Sequence, residues 1–347
     1  MQKADHIFHY SDDFPLESGG TLHGFQLKYT TLGQLNASRD NVIWVCHALT
    51  GNSDVTTWWD GFFVDGSPFD PRDYFIICAN TLGGCYGSTG PLSINPATGK
   101  PFYHDFPAIT HRDVVTAFDH LRVSLGIQKV HTLTGGSLGG QQAIQWAILR
   151  PEVFVHLIPM ACNAFHSPWG IAFNEAQRMA IAADPTWKEN DARAGVEGMK
   201  AARAIAMLSY RAYQTFGETQ SEKNSNKTDD FRAATYQQYQ GQKLANRFNA
   251  FTYWILSKTM DSHNVGRGEA SVEAALRKIK ARTLIIGIDN DILFPVAEQE
   301  FLSRQIPAAR FEILNSIYGH DGFLADPEPI KQIIRKLYYP EKEQILS

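Results

Sequence analysis

The chain has 347 residues, 44% of them hydrophobic and 20% charged, with a formal net charge of −4. That balance is ordinary for a globular enzyme, and without a basic stripe it gives nucleic-acid binding no support. No run of about eighteen apolar residues occurs, which excludes a membrane-spanning helix, and the polar residues after Met1 predict no secretory signal. Cys46, Cys78, Cys85 and Cys162 lack metal-ligand spacing and are too few for a disulfide scaffold. Reduced thiols in a cytoplasmic protein, and no metal centre, are therefore expected.

In chain order, Asn41–Cys46 and Tyr74–Cys78 read as buried strands, and Val114–Leu125 as a helix. Lys129–Thr134 reads as a strand, Gly140–Arg150 as a helix closed by Pro151, and Val153–Ala161 as another strand. This alternation predicts a mostly parallel central sheet with helices on both faces. From about His166 to Arg267 the rhythm changes to helices alone, Ala192–Leu208 and Thr235–Lys258, joined by the polar connection Gly217–Asp230. The alternation then resumes: helix Val272–Ile279, strand Thr283–Ile288, helix Val296–Arg304, strand Arg310–Leu314 and helix Glu328–Leu337. The expected organisation is an α/β core over residues 1–165 and 268–347, with an all-helical lid insertion over 166–267.

Gly135-Gly136-Ser137-Leu138-Gly139 lies between the predicted strand at 129–134 and the predicted helix at 140–150. A G-x-S-x-G on a sharp strand-to-helix turn lifts its serine hydroxyl above the sheet, while the small glycines let the helix pack close. A serine hydroxyl is a weak nucleophile at neutral pH and needs a base and an orienting acid. These follow the serine in the order acid, then histidine, at strand ends. The 283–288 strand empties into Asp289-Asn290-Asp291, and the 310–314 strand into a loop holding His320 between Gly319 and Asp321-Gly322. The residues alone do not separate Asp289 from Asp291. His47, His104, His111 and His263 are rivals as base, but none follows a late strand. His47-Ala-Leu-Thr-Gly51 opens just after the first buried strand, where a second oxyanion-hole amide belongs, so the backbone N–H groups of Leu49 and Leu138 are the expected donors.

Several further blocks carry a resemblance: Cys46–Gly51, Thr81–Pro91, Ser93–Lys100, Asp105–Pro107, Gly135–Gln141, Ile171–Glu175, Tyr239–Gly241 and Tyr318–Asp321. Over most of its length the chain resembles the homoserine O-acetyltransferase family, acyltransferases of methionine biosynthesis with the α/β-hydrolase fold. Leu138 stands where that family usually has methionine, a change that leaves the backbone amide in place. The resemblance implies Ser137 as nucleophile, Asp291 as the acid (the one before Ile-Leu-Phe-Pro) and His320 as base. It also implies Arg211 as the grip on the homoserine carboxylate and Asp321 as the partner of its ammonium group. A zwitterion needs one fixed cation and one fixed anion, and the planar fork of arginine suits a carboxylate.

The expected reaction is ping-pong transfer of an acetyl group from acetyl-CoA, a co-substrate, to L-homoserine through acyl-Ser137, with no bound cofactor. A succinyl donor, a serine acceptor, plain ester hydrolysis by the same triad, and a non-catalytic binding protein are the competing readings. A succinyl donor would want a further cation in the pocket, which the sequence alone does not place. Family likeness also implies a homodimer through the insertion. Phe248, Phe251, Tyr253 and Trp254 could serve that contact or form lid core.

Overall fold

The computed structural model describes residues 3–59 and 61–338. It begins with two long strands absent from the sequence reading, β1 (Lys3–Pro15) and β2 (Thr21–Leu32), paired as an antiparallel hairpin. β2 carries the period-two signal of a strand, with Phe25, Leu27 and Tyr29 buried and alternating with Gln26 and Lys28. β1 is an exposed edge strand in which Phe14 alone is buried, and its register shifts between Tyr10 and Asp13.

The short buried strands come where the residues place them: β3 (Val42–Cys46) and β4 (Phe75–Ala79). A small hairpin follows, β5 (Ile94–Asn95) with β6 (Lys100–Pro101). Next come α1 (His111–Ser124), β7 (Val130–Gly136), α2 (Leu138–Leu149) and β8 (Phe154–Met160). The main sheet runs β1-β2-β4-β3-β7-β8, then β9 (Arg282–Ile288) and β10 (Arg310–Leu314), parallel from β4 onward. On one face α1 and α2 bury Phe118 and Trp146 against Trp44 of β3. On the other, the segment 55–69 and helix α11 (Pro327–Tyr338) bury Trp59, Phe62, Phe69, Ile330 and Ile334.

Between β8 and β9 the chain is helical: α3 (Pro168–Ala182), α4 (Val196–Tyr210), α5 (Tyr213–Gln220), α6 (Arg232–Ala245) and α7 (Ala250–Asp261). Two expectations change here. The polar stretch 217–230 starts inside α5, and the single helix expected over 235–258 is two, broken at 246–249 where Asn249 caps α7 by accepting from the Thr252 N–H at 2.8 Å. The aromatics considered for a contact between copies are interior: Phe248, Phe251 and Tyr253 are buried and Trp254 is half-buried in the core of the insertion. An antiparallel bridge between Phe165 and Asn264 ties the ends of the insertion together. After it come α8 (Val272–Leu276), α9 (Val296–Gln305) and the short α10 (Gly322–Ala325).

A buried polar network joins α1 and α2 to the ends of the insertion. His111 Nε2 lies 3.0 Å from Gln141 Oε1, and Gln141 donates to Asn163 Oδ1 at 2.8 Å. Asn174 of α3 contacts His166 and donates to Asp261 of α7, which also takes the Arg178 guanidinium. Burial holds His111 and His166 neutral, with pKa values lowered to about 4, and does the same to His47. A histidine with a depressed folded pKa binds more protons when unfolded, so its stabilising contribution is complete above pH 6.5 and is lost as pH falls towards 4. The thermal midpoint should therefore decline steadily from pH 7 to pH 4 in calorimetry. A midpoint that stays flat between pH 6 and 4.5 would contradict the buried neutral histidines.

Candidate active site

Ser137 occupies the turn between β7 and α2, and the strained residue is the serine itself, not its glycines: its φ is 58° and ψ −126°. A non-glycine residue there costs on the order of 1–3 kcal/mol and persists only where its surroundings enforce it. Two backbone bonds do so, Ser137 N–H to Met160 O and Gln141 N–H to Ser137 O, each at 3.0 Å. Gly139 answers to close approach, since a methyl group there would run into the Cys46 carbonyl. That approach is built into the register, because Cys46 of β3 pairs with Gly135 of β7.

The same pairing sets the loop after β3 beside the serine. Residues 48–51 form a turn closed by Gly51 N–H to Ala48 O at 2.8 Å, which leaves the Leu49 N–H uncommitted. Leu138 opens α2, so its N–H is one of the unpaired donors at a helix N-terminus. Neither amide donates to an acceptor among the described residues. His47 is accounted for structurally: its Nε2 accepts from Thr81 N–H at 3.0 Å, and Nδ1 therefore donates to Ala48 O at 2.9 Å. The other rivals are likewise engaged away from the serine, His104 with Trp187 O, His111 with Gln141, and His263 with Asn163 O.

The loops after β9 and β10 meet above the sheet. Asp291 is buried, and its Oδ1 accepts from Leu293 N–H at 2.8 Å and Phe294 N–H at 2.9 Å. Its Oδ2 lies 2.7 Å from His320 Nδ1. An ionised carboxylate only accepts, so Nδ1 carries the hydrogen and Nε2 keeps its lone pair. Asp289 is exposed and, among the described residues, accepts only a long bond, 3.3 Å, from Ser316 N–H, so the geometry separates the two aspartates that the sequence left equal. The His320 ring is fixed by stacking on Phe294 (5.2 Å between centroids) and by edge contact with Phe323 (5.5 Å). Gly319, at φ 63°, lets the histidine loop press against the backbone of Ala212 in the insertion, where a β-carbon would clash.

Burial alone would lower the His320 pKa. The charge and hydrogen bond of Asp291, with the charge of Asp321, more than offset it, and the net shift is upward from 6.5.

Ser137 and His320 line one cavity of about 290 Å³ roofed by α4 and α6. No hydrogen bond joins Ser137 Oγ to His320 in this structure; catalytic bonds of this kind commonly tighten only when substrate binds. Arg211 and Asp321 line the same cavity, and they meet each other, Arg211 Nε lying 3.1 Å from Asp321 Oδ2. The N–H does not point at the carboxylate, so the contact is ionic and not a hydrogen bond. Burial raises the Asp321 pKa, and Arg211, Arg203 and His320 offset this only in part. Residues the sequence reading passed over also line the cavity, among them Arg203, Tyr210, Lys243 and Arg247. The signal for two of them was present, since Arg203 and Tyr210 share a helix face with Met207 at i, i+4 and i+7.

The arrangement offers a serine above a sheet, a histidine oriented by a buried carboxylate, free amides beside the serine and a charged pocket. The family model of the alpha/beta hydrolase fold matches residues 41–327. The chain is 51% identical over 338 residues to the homoserine O-acetyltransferase of Cyclobacterium marinum, covering 97% of this chain and 96% of that one. Among solved structures, the homoserine O-acetyltransferase from Bacillus anthracis superposes with a TM-score of 0.91 at 25% identity, covering 98% of each chain. An acetylester hydrolase from Corynebacterium glutamicum superposes with a TM-score of 0.84 at 23% identity over 96% of each chain, a likeness of fold alone.

Proposed function

The chain belongs to the homoserine O-acetyltransferase family of α/β-hydrolase-fold enzymes, and we propose that it moves an acetyl group from acetyl-CoA to L-homoserine through an acyl-Ser137 intermediate. The observation that carries this reading is the 2.7 Å contact of Asp291 with His320 Nδ1 in the cavity that Ser137 lines.

His320 Nε2 takes the Ser137 proton as Oγ attacks the thioester carbonyl. The negative charge that develops on the carbonyl oxygen is met by the N–H groups of Leu49 and Leu138, donors that bond strongly only once that charge exists. As the C–S bond breaks, His320 returns its proton to the departing CoA sulfur. The homoserine hydroxyl then gives its proton to the same Nε2 and attacks the acyl carbon. Collapse of that second intermediate expels Ser137 Oγ, which recovers its proton from His320. Arg211 and Asp321 supply charges of both signs for the zwitterionic acceptor, so homoserine must exchange into the ion pair they now make with each other. Water is the competing acceptor, and the roof of α4 and α6 limits its access.

With the family reading come a place in methionine biosynthesis, a cytoplasmic setting and a homodimer. Trp169, Met179, Leu208, Tyr213, Phe231 and Tyr239 are among the exposed apolar side chains of the insertion that a second copy would cover. Among the described residues no helix is long and apolar enough to cross a membrane.

Initial rates over a grid of both substrates should give parallel double-reciprocal lines, and labelled acetyl-CoA alone should leave one acetyl group on the Ser137 peptide. Intersecting lines with no adduct would exclude the ping-pong course. Free acetate as the main product in the presence of homoserine would turn the reading to hydrolysis.

A further inference from the structure

The cavity beside Ser137 holds more positive charge than its carboxylates answer. Arg203, Arg211, Lys243 and Arg247 line it, and among the described residues Asp321 is the only acidic side chain that does. Asp321 is engaged by Arg211 at 3.1 Å. Arg247 is exposed and held by Thr50 O and the Tyr86 hydroxyl, while the exposed Lys243 lies over the Tyr239 ring.

Arg203 differs from these. It is half-buried, its guanidinium sits over the Tyr210 ring at 5.2 Å, and no carboxylate among the described residues pairs with it. The acid of its own helix, Glu197, is bonded to Lys200 at 2.7 Å. The ring satisfies one face of the guanidinium and leaves the in-plane N–H groups, the fork that matches a carboxylate, uncommitted. Position adds to this, because the Tyr210 ring lies 5.7 Å from the His320 ring, so a single aromatic side chain separates the uncommitted cation from the base. Arg203 lines the same cavity as His320, Ser137 and Arg211, so a carboxylate bound there meets the charge of Arg203 as well as that of Arg211.

We propose that Arg203 is a specificity-determining residue of this cavity, binding the carboxylate of the amino-acid acceptor alongside Arg211. The proposal rests on the reading that Ser137 is acylated and homoserine accepts the acyl group. The chemistry recognised is an aliphatic carboxylate, and a dicarboxylic acyl thioester such as succinyl-CoA is its other possible source.

The test uses the full-length enzyme, Arg203→Gln and Arg203→Lys. The first arm compares kcat/KM for homoserine with that for 3-aminopropan-1-ol, which has the hydroxyl and ammonium but no carboxylate, both with acetyl-CoA. The second compares succinyl-CoA with acetyl-CoA as donors to homoserine. Acylation of Ser137 by p-nitrophenyl acetate is measured by mass spectrometry throughout. The preference for homoserine over 3-aminopropan-1-ol should fall at least tenfold in Arg203→Gln, through homoserine KM more than kcat, with Arg203→Lys recovering part of it. A preference that does not move, in a variant that still acylates, overturns the proposal. A change confined to the succinyl-CoA to acetyl-CoA ratio overturns the assignment to the acceptor and gives the residue to the donor. Failure of the unsubstituted enzyme to acylate Ser137 removes instead the reading on which the proposal stands.

Discussion

Alanine at position 137 is expected to abolish acetyl transfer, lowering kcat by a factor on the order of 10⁵–10⁶, the scale at which loss of a triad nucleophile acts. The substitution removes only Oγ. The backbone at φ 58° strains alanine as it strains serine, and the bonds to Met160 O and from Gln141 N–H are made by main-chain atoms. Folding should therefore be nearly untouched, and a thermal midpoint within a few degrees of the parent would show that the loss is chemical. The uncommitted amides of Leu49 and Leu138 remain, so a residual rate above the uncatalysed one is expected. The decisive measurement is covalent: incubation with labelled acetyl-CoA should leave no adduct on the variant. An acetyl group still found on the enzyme, with transfer intact, would remove Ser137 from the nucleophile's role.

The elbow was legible in the sequence because it is local. Strand, tight turn and helix are consecutive, and the register of Cys46 with Gly135 then brings the loop of Leu49 alongside. The order of the candidate acid and base could be read because each follows a short late strand, the one before Asp291 being strongly apolar and buried. What could not be read depends on packing. Asp289 and Asp291 are two residues apart in one loop, and only the fold shows the first at the surface against Ser316 N–H and the second beneath His320. Arg203 lies on an alanine-rich helix and reads as a solvated side chain until α4 is laid across the His320 loop. The β1–β2 hairpin was missed although Phe25, Leu27 and Tyr29 alternate in β2, since its partner β1 is an exposed edge strand that buries Phe14 alone. The same packing explains why Arg211 and Asp321, inferred separately as partners of a substrate, face each other across the cavity.

Asn at position 291 tests the orienting carboxylate most directly, and a loss of about 10⁴ in kcat is expected, the cost of presenting the wrong tautomer. The structure dictates how the amide would sit. Oδ1 of Asp291 accepts from the N–H groups of Leu293 and Phe294, so the side-chain oxygen of asparagine would keep that place and its NH₂ would fall where Oδ2 now meets His320. A donor facing Nδ1 forces the hydrogen of the imidazole onto Nε2, where it can no longer take a proton from Ser137. The pH profile separates this from simple misfolding. The base must be neutral, so kcat/KM for acetyl-CoA in the parent should climb with rising pH through an apparent pKa above 6.5, the direction in which Asp291 and Asp321 move His320 against the effect of burial. Without the Asp291 charge, burial gains weight and the limb should shift to lower pH. The deficit should then be largest on the alkaline plateau, where both enzymes hold neutral imidazole but only the parent holds the useful tautomer. A variant whose activity returned to the parental level at high pH, or whose limb stayed in place, would show that Asp291 does not orient the base.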